Sequence, residues 1–198
     1  MKTTALDGGY YIKEMSSEDF YPLFRKHYQS LFGDDHTMFS DKYYTDSEQE
    51  KIEKLKSRMG DLYELHLGLF SPQNEFIGFS FGVQETEEAF YIIASAVLPD
   101  FRNKGFYSSL LKEILRICTD VGFQKIYGTH CATNNAVIIP KLKLGFFITH
   151  LELSDMFGTV VHTSYLTNPL RRKVLDYRSG LKVPDSELKS MMKFNSKR

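Results

Sequence analysis

The stretch "SAVLPDFRNKGFYSSLL" (residues 95–111) joins an apolar run typical of a strand to an apolar run typical of a helix. One glycine, Gly105, lies at the junction, and the basic residues Arg102 and Lys104 precede it. The first N–H groups of a helix have no intrahelical partner, and the helix dipole adds partial positive charge there. Because glycine lacks a Cβ, the backbone can approach a phosphate closely. The junction indicates an anion site; the alternative is that Gly105 only eases a turn and the cations are solvated.

The sequence contains neither of two common glycine-rich phosphate loops. The pattern G-x-x-x-x-G-K-[ST] does not occur, which argues against a P-loop, and G-x-G-x-x-G does not occur, which argues against a dinucleotide fingerprint. A lone glycine is weak evidence by itself, so the flanking elements decide the interpretation.

The segment before this stretch shows strand and helix periodicity with recognisable end signals. Ser16 or Ser17 is the expected cap of the first helix, and Gly60 the expected end of the second. In chain order the sequence predicts a strand, a helix, a polar aromatic loop, a charged helix and three strands: 9–15, 20–32, 33–46, 47–60, 63–70, 75–85 and 89–98.

The segment after the stretch likewise shows alternating helix and strand patterns. A helix that Gly122 ends is predicted to bury one apolar face, made by Phe106, Leu110, Leu111, Ile114, Leu115, Cys118 and Val121. A strand, a short helix and two strands then follow: 125–131, 134–145, 146–153 and 159–166. The remainder is predicted to be helical up to Gly180 and frayed beyond it. The order β-α-α-β-β-β-α-β-α-β-β indicates one α/β domain.

The composition is that of an ordinary globular protein. A chain of 198 residues suits one sizeable domain. Lys plus Arg equals Asp plus Glu at 25 each, so net charge gives no support for nucleic-acid or membrane partners. The segment 171–198 is locally basic, with nine Lys or Arg against three Asp or Glu. This tail could dock a partner subunit, touch an acidic surface or keep the protein in solution.

Cysteine content and the N-terminus predict a cytoplasmic protein. The chain has two cysteines, Cys118 and Cys131, too few for a disulfide framework and suited to a reducing compartment. The N-terminus "MKTTALDGGYY" lacks the apolar core of a signal peptide, and no apolar run is long enough to span a bilayer.

Two motifs at the right separation point to a family. The run Arg102-Asn103-Lys104-Gly105 follows "SAVLPD", and "NNAVIIPKLKLGF" (134–146) begins about thirty residues later. The pairing resembles the GNAT superfamily of N-acetyltransferases. That family has [RQ]-x-x-G-x-[GA] after a V-x-P strand end, then a segment similar to N-x-x-A-x-x-x-Y-x-x-x-G-F. The element order is also that of the family, and the resemblance covers about residues 9–166.

The resemblance implies a single-domain GNAT-like acyl-CoA N-acyltransferase fold, an α/β fold with a mixed central sheet of about seven strands flanked by helices. The domain would cover residues 1–168, followed by a basic C-terminal helix or tail over 169–198. Family members are often dimers, so the resemblance also implies a possible homodimer.

The resemblance further implies an acetyl-CoA site. Backbone N–H groups from Arg102 to Tyr107 would cradle the pyrophosphate, and Val97 and Leu98 would hydrogen-bond the pantetheine arm. The side chain of Asn134 would also contact the cofactor. The implied cofactor-binding residues are Val97, Leu98, Arg102, Asn103, Lys104, Gly105, Phe106, Tyr107, Ser108 and Asn134.

The sequence departs from the family pattern at two positions. Tyr107 stands where the family has Gly or Ala, so the ring either swings outward or narrows the site. Lys141 aligns with the tyrosine that can protonate the departing thiolate, and Pro140 beside it should distort the helix. With reference pKa values of about 10.4 for lysine and about 8.5 for a thiol, an ammonium can donate to a thiolate. The alternative is that Lys141 is a surface lysine on an amphipathic helix.

No general base is evident in the sequence. An amine acceptor is almost wholly protonated at neutral pH, so attack on a thioester needs a base or a water chain leading to one. The positions where relatives carry a glutamate correspond to Tyr91 and Thr129, and Tyr91 is retained as a candidate catalytic residue. Glu85, Glu87 and Glu88 could serve through water, or could simply form a polar turn.

The neighbouring residues His130 and Cys131 invite a covalent mechanism with Cys131 as nucleophile. Adjacent strand residues point to opposite faces, so the two cannot easily form a pair. Cys131 is therefore expected to be a small core residue, and His130 to be structural or a minor candidate for proton transfer.

The loop 33–46 is the expected acceptor pocket, because the family often places it there. Its acids and aromatic rings could receive a cationic amine, or could form a hydrated loop: Asp34, Asp35, Asp41, Tyr43 and Tyr44. The run Asp34-Asp35-His36 lacks convincing metal spacing, so no metal is predicted.

Two functional hypotheses remain open. The favoured one is transfer of the acetyl group of acetyl-CoA to a primary amine of a small molecule or protein by direct attack in a ternary complex. Backbone groups near Val97 would then stabilise the developing oxyanion. The alternative is a catalytically weak or inactive GNAT-like module that binds CoA or another ligand. An acyltransferase for longer acyl chains would differ only in its chain-length preference.

Overall fold

A computed structural model describes residues 2–32 and 44–191. Most of the loop predicted at 33–46 lies outside the described residues. So do four residues proposed for the acceptor pocket: Asp34, Asp35, Asp41 and Tyr43. Tyr44, the remaining member, is exposed.

One mixed sheet organises the described part of the chain. Its eight strands are β1 (Thr3–Ala5), β2 (Tyr11–Met15), β3 (Glu64–Phe70), β4 (Phe76–Gln84), β5 (Ala89–Val97), β6 (Lys125–Cys131), β7 (Phe147–Ser154) and β8 (Gly158–Leu166). Their order across the sheet is β1-β2-β3-β4-β5-β6-β8-β7. Neighbouring strands are antiparallel except β5 and β6, which are parallel.

Six α-helices lie within the described ranges: α1 (Ser17–Phe32), α2 (Asp46–Lys56), α3 (Phe106–Val121), α4 (Asn135–Lys143), α5 (Pro169–Arg178) and α6 (Ser186–Met191). Ser16 is the cap of α1, since its Oγ accepts a hydrogen bond from the Asp19 N–H at 3.1 Å. A capping box between Thr45 and Glu48 starts α2. In the described ranges, none of these helices is both long and apolar enough to cross a membrane.

The predicted α/β fold with a mixed, helix-flanked sheet is confirmed, with eight strands in place of about seven. The additional strand is β1, whose three residues pair with Tyr11–Lys13 of β2. A 3-10 turn over Asp7–Gly9 separates β1 from β2, so the first predicted strand begins at Tyr11 and not at residue 9. The stretch Thr3–Ala5 carries no apolar alternation, because it is a short edge strand with little to bury.

The larger apolar core lies between the sheet and α3. Leu110, Leu111, Ile114 and Cys118 are buried there, as the helical spacing predicted. The prediction for Val121 is wrong: the residue is 51% exposed, and Ile117 is buried instead. Val121 lies in the last turn of α3, immediately before the chain leaves the helix at Gly122.

A second core, rich in phenylalanine, lies on the opposite face of the sheet beneath α1. Phe20 and Phe24 of α1 pack against Phe79 and Phe81 of β4, with ring centroids 5.1–5.8 Å apart. His66 of β3 also contacts Phe20, and burial lowers the pKa of its imidazole. Helices therefore cover both faces of the sheet, and the cover by α1 lies over the strands of the first half.

The C-terminal segment is more ordered than the sequence predicted. The helix predicted up to Gly180 is α5, but the fraying predicted beyond it is wrong for Ser186–Met191, which form α6. Leu188 of α6 is buried, and Lys173 of α5 pairs with Asp185 at 2.9 Å. Long-range ion pairs and one apolar anchor hold this segment, and neither is visible as a local pattern.

Candidate active site

The pairing of β5 with β6 is short, and this opens a gap in the sheet. The parallel ladder comprises three residue pairs, Ala89–Tyr91 with Lys125–Tyr127, although both strands continue beyond it and are wholly described. A β-bulge lies at the same level, because Phe81 pairs with Ala94 while Gly82 pairs with Ile92. A bulge increases local twist and bends its strand. The second half of β5 therefore runs with β4 alone, and unpaired backbone faces the gap.

The stretch that opened the sequence analysis forms a strand, a tight loop and a helix start. Asn103 and Gly105 both have positive φ, at 61° and 83°, and α3 begins at Phe106. A Cβ built on Gly105 would have nothing within 4 Å, so the space beside this backbone is open. The Arg102 N–H already donates to Pro99 O at 3.1 Å. The predicted cradle of backbone N–H groups can therefore begin only at Asn103.

A cleft of about 330 Å³ lies at the N-terminus of α3. Lys104, Gly105 and Ser109 line it on one side, and Leu6 and Asp7 of the N-terminal turn line it on the other. The ammonium of Lys104 lies 5.3 Å from the centroid of the Phe101 ring. The cleft thus combines a helix N-terminus and a basic side chain, which attract an anionic group, with the acidic Asp7 on the opposite side.

The side chain of Arg102 has a structural role. Its Nε donates to Val97 O at 2.9 Å, and its Nη2 donates to Leu31 O at 3.0 Å. The guanidinium thereby joins the end of β5 to the last turn of α1. Its charge remains close to the loop, but two of its donors are engaged by the protein.

The end of β5 offers fewer free hydrogen-bonding groups than the sequence implied. The Leu98 N–H donates to Ile77 O of β4 at 2.8 Å, and Val97 O accepts from Arg102. Because successive N–H groups of a strand point to opposite sides, the Val97 N–H points away from β4 and toward the gap. Val97 N–H is therefore the backbone donor at this position for an arm lying in the gap.

The tyrosine that replaces a small residue of the family motif does not swing outward. Tyr107 is half-buried and packs against the larger core, where burial raises the pKa of its hydroxyl. Phe106 is buried as well and lies 4.7 Å from the Tyr10 ring, measured between centroids. Ser108 is half-buried in the same first turn.

Lys141 is fully buried, at 0% exposure. Its Nζ lies 3.5 Å from Thr163 Oγ1 and 4.9 Å from the centroid of the Phe146 ring. A Cβ on Gly128 would lie only 2.9 Å from this Nζ and 3.2 Å from Ile92 O. Gly128 follows the last residue of β6 that pairs with β5, so the ammonium lies where the gap opens and a glycine is needed beside it.

The environment of Lys141 lowers the pKa of its ammonium group. Within the described ranges no carboxylate pairs with it, and burial lowers its pKa from 10.5 to about 7. Thr163 Oγ1 donates its hydrogen to Gly128 O at 3.1 Å and thus presents lone pairs to the ammonium. The alternative of a surface lysine is excluded, and Pro140 is accommodated within α4.

His130 lies close to Lys141 on the same face of β6. Its Nε2 is buried with no hydrogen-bond partner among the described residues. Burial, and then the charges of Lys141 and His162, lower the pKa of His130 to about 3. A neutral imidazole with one unsatisfied nitrogen beside the gap fits a polar ligand such as the amide-bearing pantetheine arm.

Comparison with known proteins agrees with this geometry. Residues 18–146 match the profile of the acetyltransferase (GNAT) family. The chain belongs to the GNAT family of acetyltransferases. It is therefore an acyltransferase enzyme by family, and it carries the helix N-terminus and the strand gap described above. A search of curated proteins finds no match.

Solved structures of low sequence identity share the fold of this acetyltransferase. One is the ribosomal-protein-S18-alanine N-acetyltransferase from Escherichia coli, with a TM-score of 0.59 and 17% identity over 80% of this chain and 94% of that one. A variant of spermidine N-acetyltransferase from Vibrio cholerae also has a TM-score of 0.59, with 17% identity over 81% and 95% of the two chains. The ribosomal-protein-S5-alanine acetyltransferase from Vibrio fischeri has a TM-score of 0.60, with 11% identity over 85% and 98%.

The candidate bases of this acetyltransferase are not all available. Tyr91 packs against Tyr127 at the last β5–β6 pair, with ring centroids 5.0 Å apart and ring planes tilted by 40°. Burial, with the Glu85 carboxylate as a smaller cause, raises the pKa of Tyr127. Glu88 is held by Arg171 through two hydrogen bonds of 3.0 and 2.8 Å. Glu88 thus anchors α5 to the sheet.

The remaining predicted residues are dispersed. Asn134 immediately precedes α4 and is exposed; its side chain makes no capping hydrogen bond, so it is available to a ligand. The Cys131 Sγ is 3.9 Å from Phe157 O, on the face away from His130, so the two do not form a nucleophile–base pair. Both cysteines are free thiols, and Cys131 is partly buried.

Sequence analysis missed a polar cluster on the hairpin of β7 and β8. It consists of His150, Glu152 and His162, and His162 lies beside Thr129 of β6. The sequence pattern H-x-E on one predicted strand, followed by a histidine on the next, could have indicated this cluster. It has meaning only once the hairpin register is known, because His150 pairs directly with His162.

Proposed function

We propose that this chain transfers the acetyl group of acetyl-CoA to a primary amine by direct attack in a ternary complex. The observation that carries the proposal is the buried ammonium of Lys141 at the mouth of the β5–β6 gap. Acetyl-CoA supplies the acetyl group: a C–N bond forms to the amine, the C–S bond breaks, and the sulfur leaves as a thiolate.

The residues proposed to hold acetyl-CoA surround the gap and the cleft. Backbone N–H groups from Asn103 through Ser108 would bind the pyrophosphate, with Lys104 adding charge. The Val97 N–H would orient the arm and stabilise negative charge on the carbonyl oxygen. Leu98 would contribute packing, and Asn134 a side-chain hydrogen bond.

Lys141 is proposed to hold the proton that the departing sulfur needs. With a pKa of about 7, its ammonium is a stronger acid than a thiol of pKa about 8.5, so transfer to a thiolate is favourable. Thr163 Oγ1 fixes the position of Nζ. Tyr91 remains a candidate for relaying the proton of the acceptor amine.

The acceptor is proposed to be an amine on a small molecule or a protein. The enzymes of this fold named above are, by name, acetyltransferases of spermidine or of an alanine of a ribosomal protein. Each of these acceptors carries an amine. We place the acetyltransferase domain within residues 1–168 and the basic segment over 169–198. The cytoplasm stays the predicted compartment because both cysteines are free. A homodimer is supported by the family resemblance alone.

The cofactor assignment is tested by calorimetric titration with acetyl-CoA and, separately, with CoA. We expect micromolar binding, and we expect Gly105→Glu to abolish it, since the substitution puts bulk and negative charge where phosphate would bind. Gly105→Ala is the matched control, because it imposes the same positive-φ strain, about 1–2 kcal/mol, without the charge. Unchanged affinity in Gly105→Glu would contradict the assignment. CoA binding without thiol release across an amine library would favour the inactive-module alternative.

A further inference from the structure

The hairpin of β7 and β8 brings three metal-ligating side chains together. His150 and Glu152 are two residues apart on β7, so both point to the same face. His162 on β8 is the direct cross-strand partner of His150. The face is opposite to that of Lys141, because the next residue, Thr163, contacts Lys141. The cluster is therefore separate from the proposed proton donor.

The ligand atoms of the three residues converge. One donor atom from each lies within 4.8 Å of the other two. His162 Nε2 contacts Glu152 Oε2 directly, and the imidazoles of His150 and His162 stack with centroids 3.9 Å apart and planes 22° apart. A tetrahedral ion with bonds of about 2.0–2.2 Å holds its ligand atoms roughly 3.5 Å apart, so the three donor atoms are close enough for a change of side-chain rotamer to bring them onto one ion.

A β-bulge presets the tautomer of one histidine. Ile148 pairs with Thr163 and His150 with His162, so Thr149 is the extra residue. The Thr149 hydroxyl donates to His162 O at 3.3 Å, so it can only accept from His150 Nδ1, which lies 3.1 Å away. His150 Nδ1 thus carries the hydrogen, and its Nε2 has a free lone pair. Such a hydrogen bond to the non-ligating nitrogen is typical of metal-binding histidines.

The second histidine and the carboxylate complete the set. His162 Nδ1 lies 3.5 Å from Thr129 Oγ1, which leaves Nε2 directed at Glu152. Glu152 is 51% exposed, and among the described residues its ion-pair partner is His162. Water can therefore reach the cluster from the solvent side. Two imidazoles and one carboxylate form the donor set of several zinc sites that keep a fourth position open.

We propose that His150, Glu152 and His162 bind one divalent transition-metal ion of the Zn²⁺ class, with a fourth position open to water. The site does not depend on the proposed acetyl transfer. It differs from the sequence analysis, which assigned no metal because it considered only the Asp34-Asp35-His36 run.

The test is metal titration of the full chain, purified without a polyhistidine tag and stripped with a chelator. We expect one Zn²⁺ per chain by calorimetry, and visible absorption bands of four-coordinate geometry when Co²⁺ is used as the probe. His150→Asn, Glu152→Gln and His162→Asn should each weaken binding by at least about tenfold. His27→Asn, on α1 and outside the cluster, is the matched control and should bind as the parent does. Circular dichroism confirms that each variant is folded.

Thr149→Val tests the hydrogen bond that sets the tautomer. The substitution keeps the shape and the strand preference of threonine, and it should weaken metal binding by about 10- to 100-fold. The proposal is overturned if no stoichiometric ion binds, or if the ligand variants bind as tightly as the parent. Loss of acetyl transfer in Glu152→Gln without metal binding would also overturn it and would make the cluster a proton acceptor instead.

Discussion

Lys141 shows how one residue acquires chemistry from its surroundings. A lysine on an exposed helix face is fully protonated at neutral pH and has little to do with proton transfer. Here the side chain passes through the core beside Gly128, where a Cβ would not fit, and ends against a threonine hydroxyl and a phenylalanine ring. Desolvation, with no carboxylate partner among the described residues, lowers its pKa to about 7. The lowered pKa gives this lysine the acidity that the proposed proton donor needs.

Lys141→Met should change both stability and catalysis. The folded-state pKa of about 7 lies below the unfolded value near 10.5, so the unfolded state binds more protons between these pH values. The stability of the parent protein should therefore rise relative to Lys141→Met as pH increases from 6 to 10, by roughly 4 kcal/mol. Urea denaturation at several pH values measures this difference.

The catalytic readout of the same variant is thiol release from acetyl-CoA. We expect the turnover rate to fall about 100-fold or more, the usual contribution of a positioned acid. Lys143→Met is the matched control, because Lys143 is exposed on the same helix. The proposed role would be contradicted if the difference in unfolding free energy between the parent and Lys141→Met did not change with pH, or if the variant kept full activity.

At the scale of elements, the junction between β5 and α3 depends on a clamp. Arg102 connects the end of β5 with the last turn of α1 through two backbone carbonyls. Lys104, two residues later, lies in the cleft at the helix N-terminus. Two neighbouring cations therefore have different tasks: one holds elements together, and the other faces the space where an anion would bind.

Arg102→Met should destabilise the fold, whereas Lys104→Met should weaken cofactor binding. Hydrogen bonds from a charged donor are worth about 1.5–3 kcal/mol, so we expect a lower Tm and faster amide exchange at the end of α1 in Arg102→Met. Lys104→Met should keep the parent Tm and lose acetyl-CoA affinity by calorimetry. If both variants showed the same changes in Tm and in acetyl-CoA affinity, Arg102 and Lys104 would not have the separate roles assigned to them.

At the scale of the whole molecule, the C-terminal helices complete the second half of the sheet. Arg171 of α5 pairs with Glu88 at the β4–β5 turn, and Arg172 pairs with Asp176. Lys182 also contacts Asp176, which is buried. The locally basic composition of this segment is thus largely neutralised within the described part of the chain, and α6 adds an apolar anchor through Leu188.

Leu188→Ala should cost about 2–4 kcal/mol of unfolding free energy, because a 2% exposed leucine leaves a cavity when truncated. Val183→Ala is the matched control in the same segment, since Val183 is 86% exposed and should change stability by less than about 0.5 kcal/mol. Urea denaturation of both variants gives the comparison. Equal midpoints would mean that α6 does not contribute to the stability of the domain.

Local patterns determined most of the elements. The helical spacing from Phe106 to Cys118 specifies an amphipathic helix without reference to any other part of the chain. The glycines at 105 and 122 mark both ends of that helix, because each adopts a positive φ. These features are local, so one sequence suffices to predict them, and the two motifs at their fixed separation identified the family.

Tertiary structure alone decided the chemistry of the site. Whether Lys141 is exposed depends on the strands that pack over α4, and whether His150 meets His162 depends on the register of a hairpin with a bulge. The roles of Arg102 and Glu88 were likewise set by partners 71 and 83 residues away in sequence. Burial and long-range pairing are sums over distant parts of the chain, so a local pattern does not contain them. The sequence by itself determined a GNAT acetyltransferase fold and predicted an anion site at a helix start, and the folded chain determined which side chains are desolvated, paired or open to a ligand.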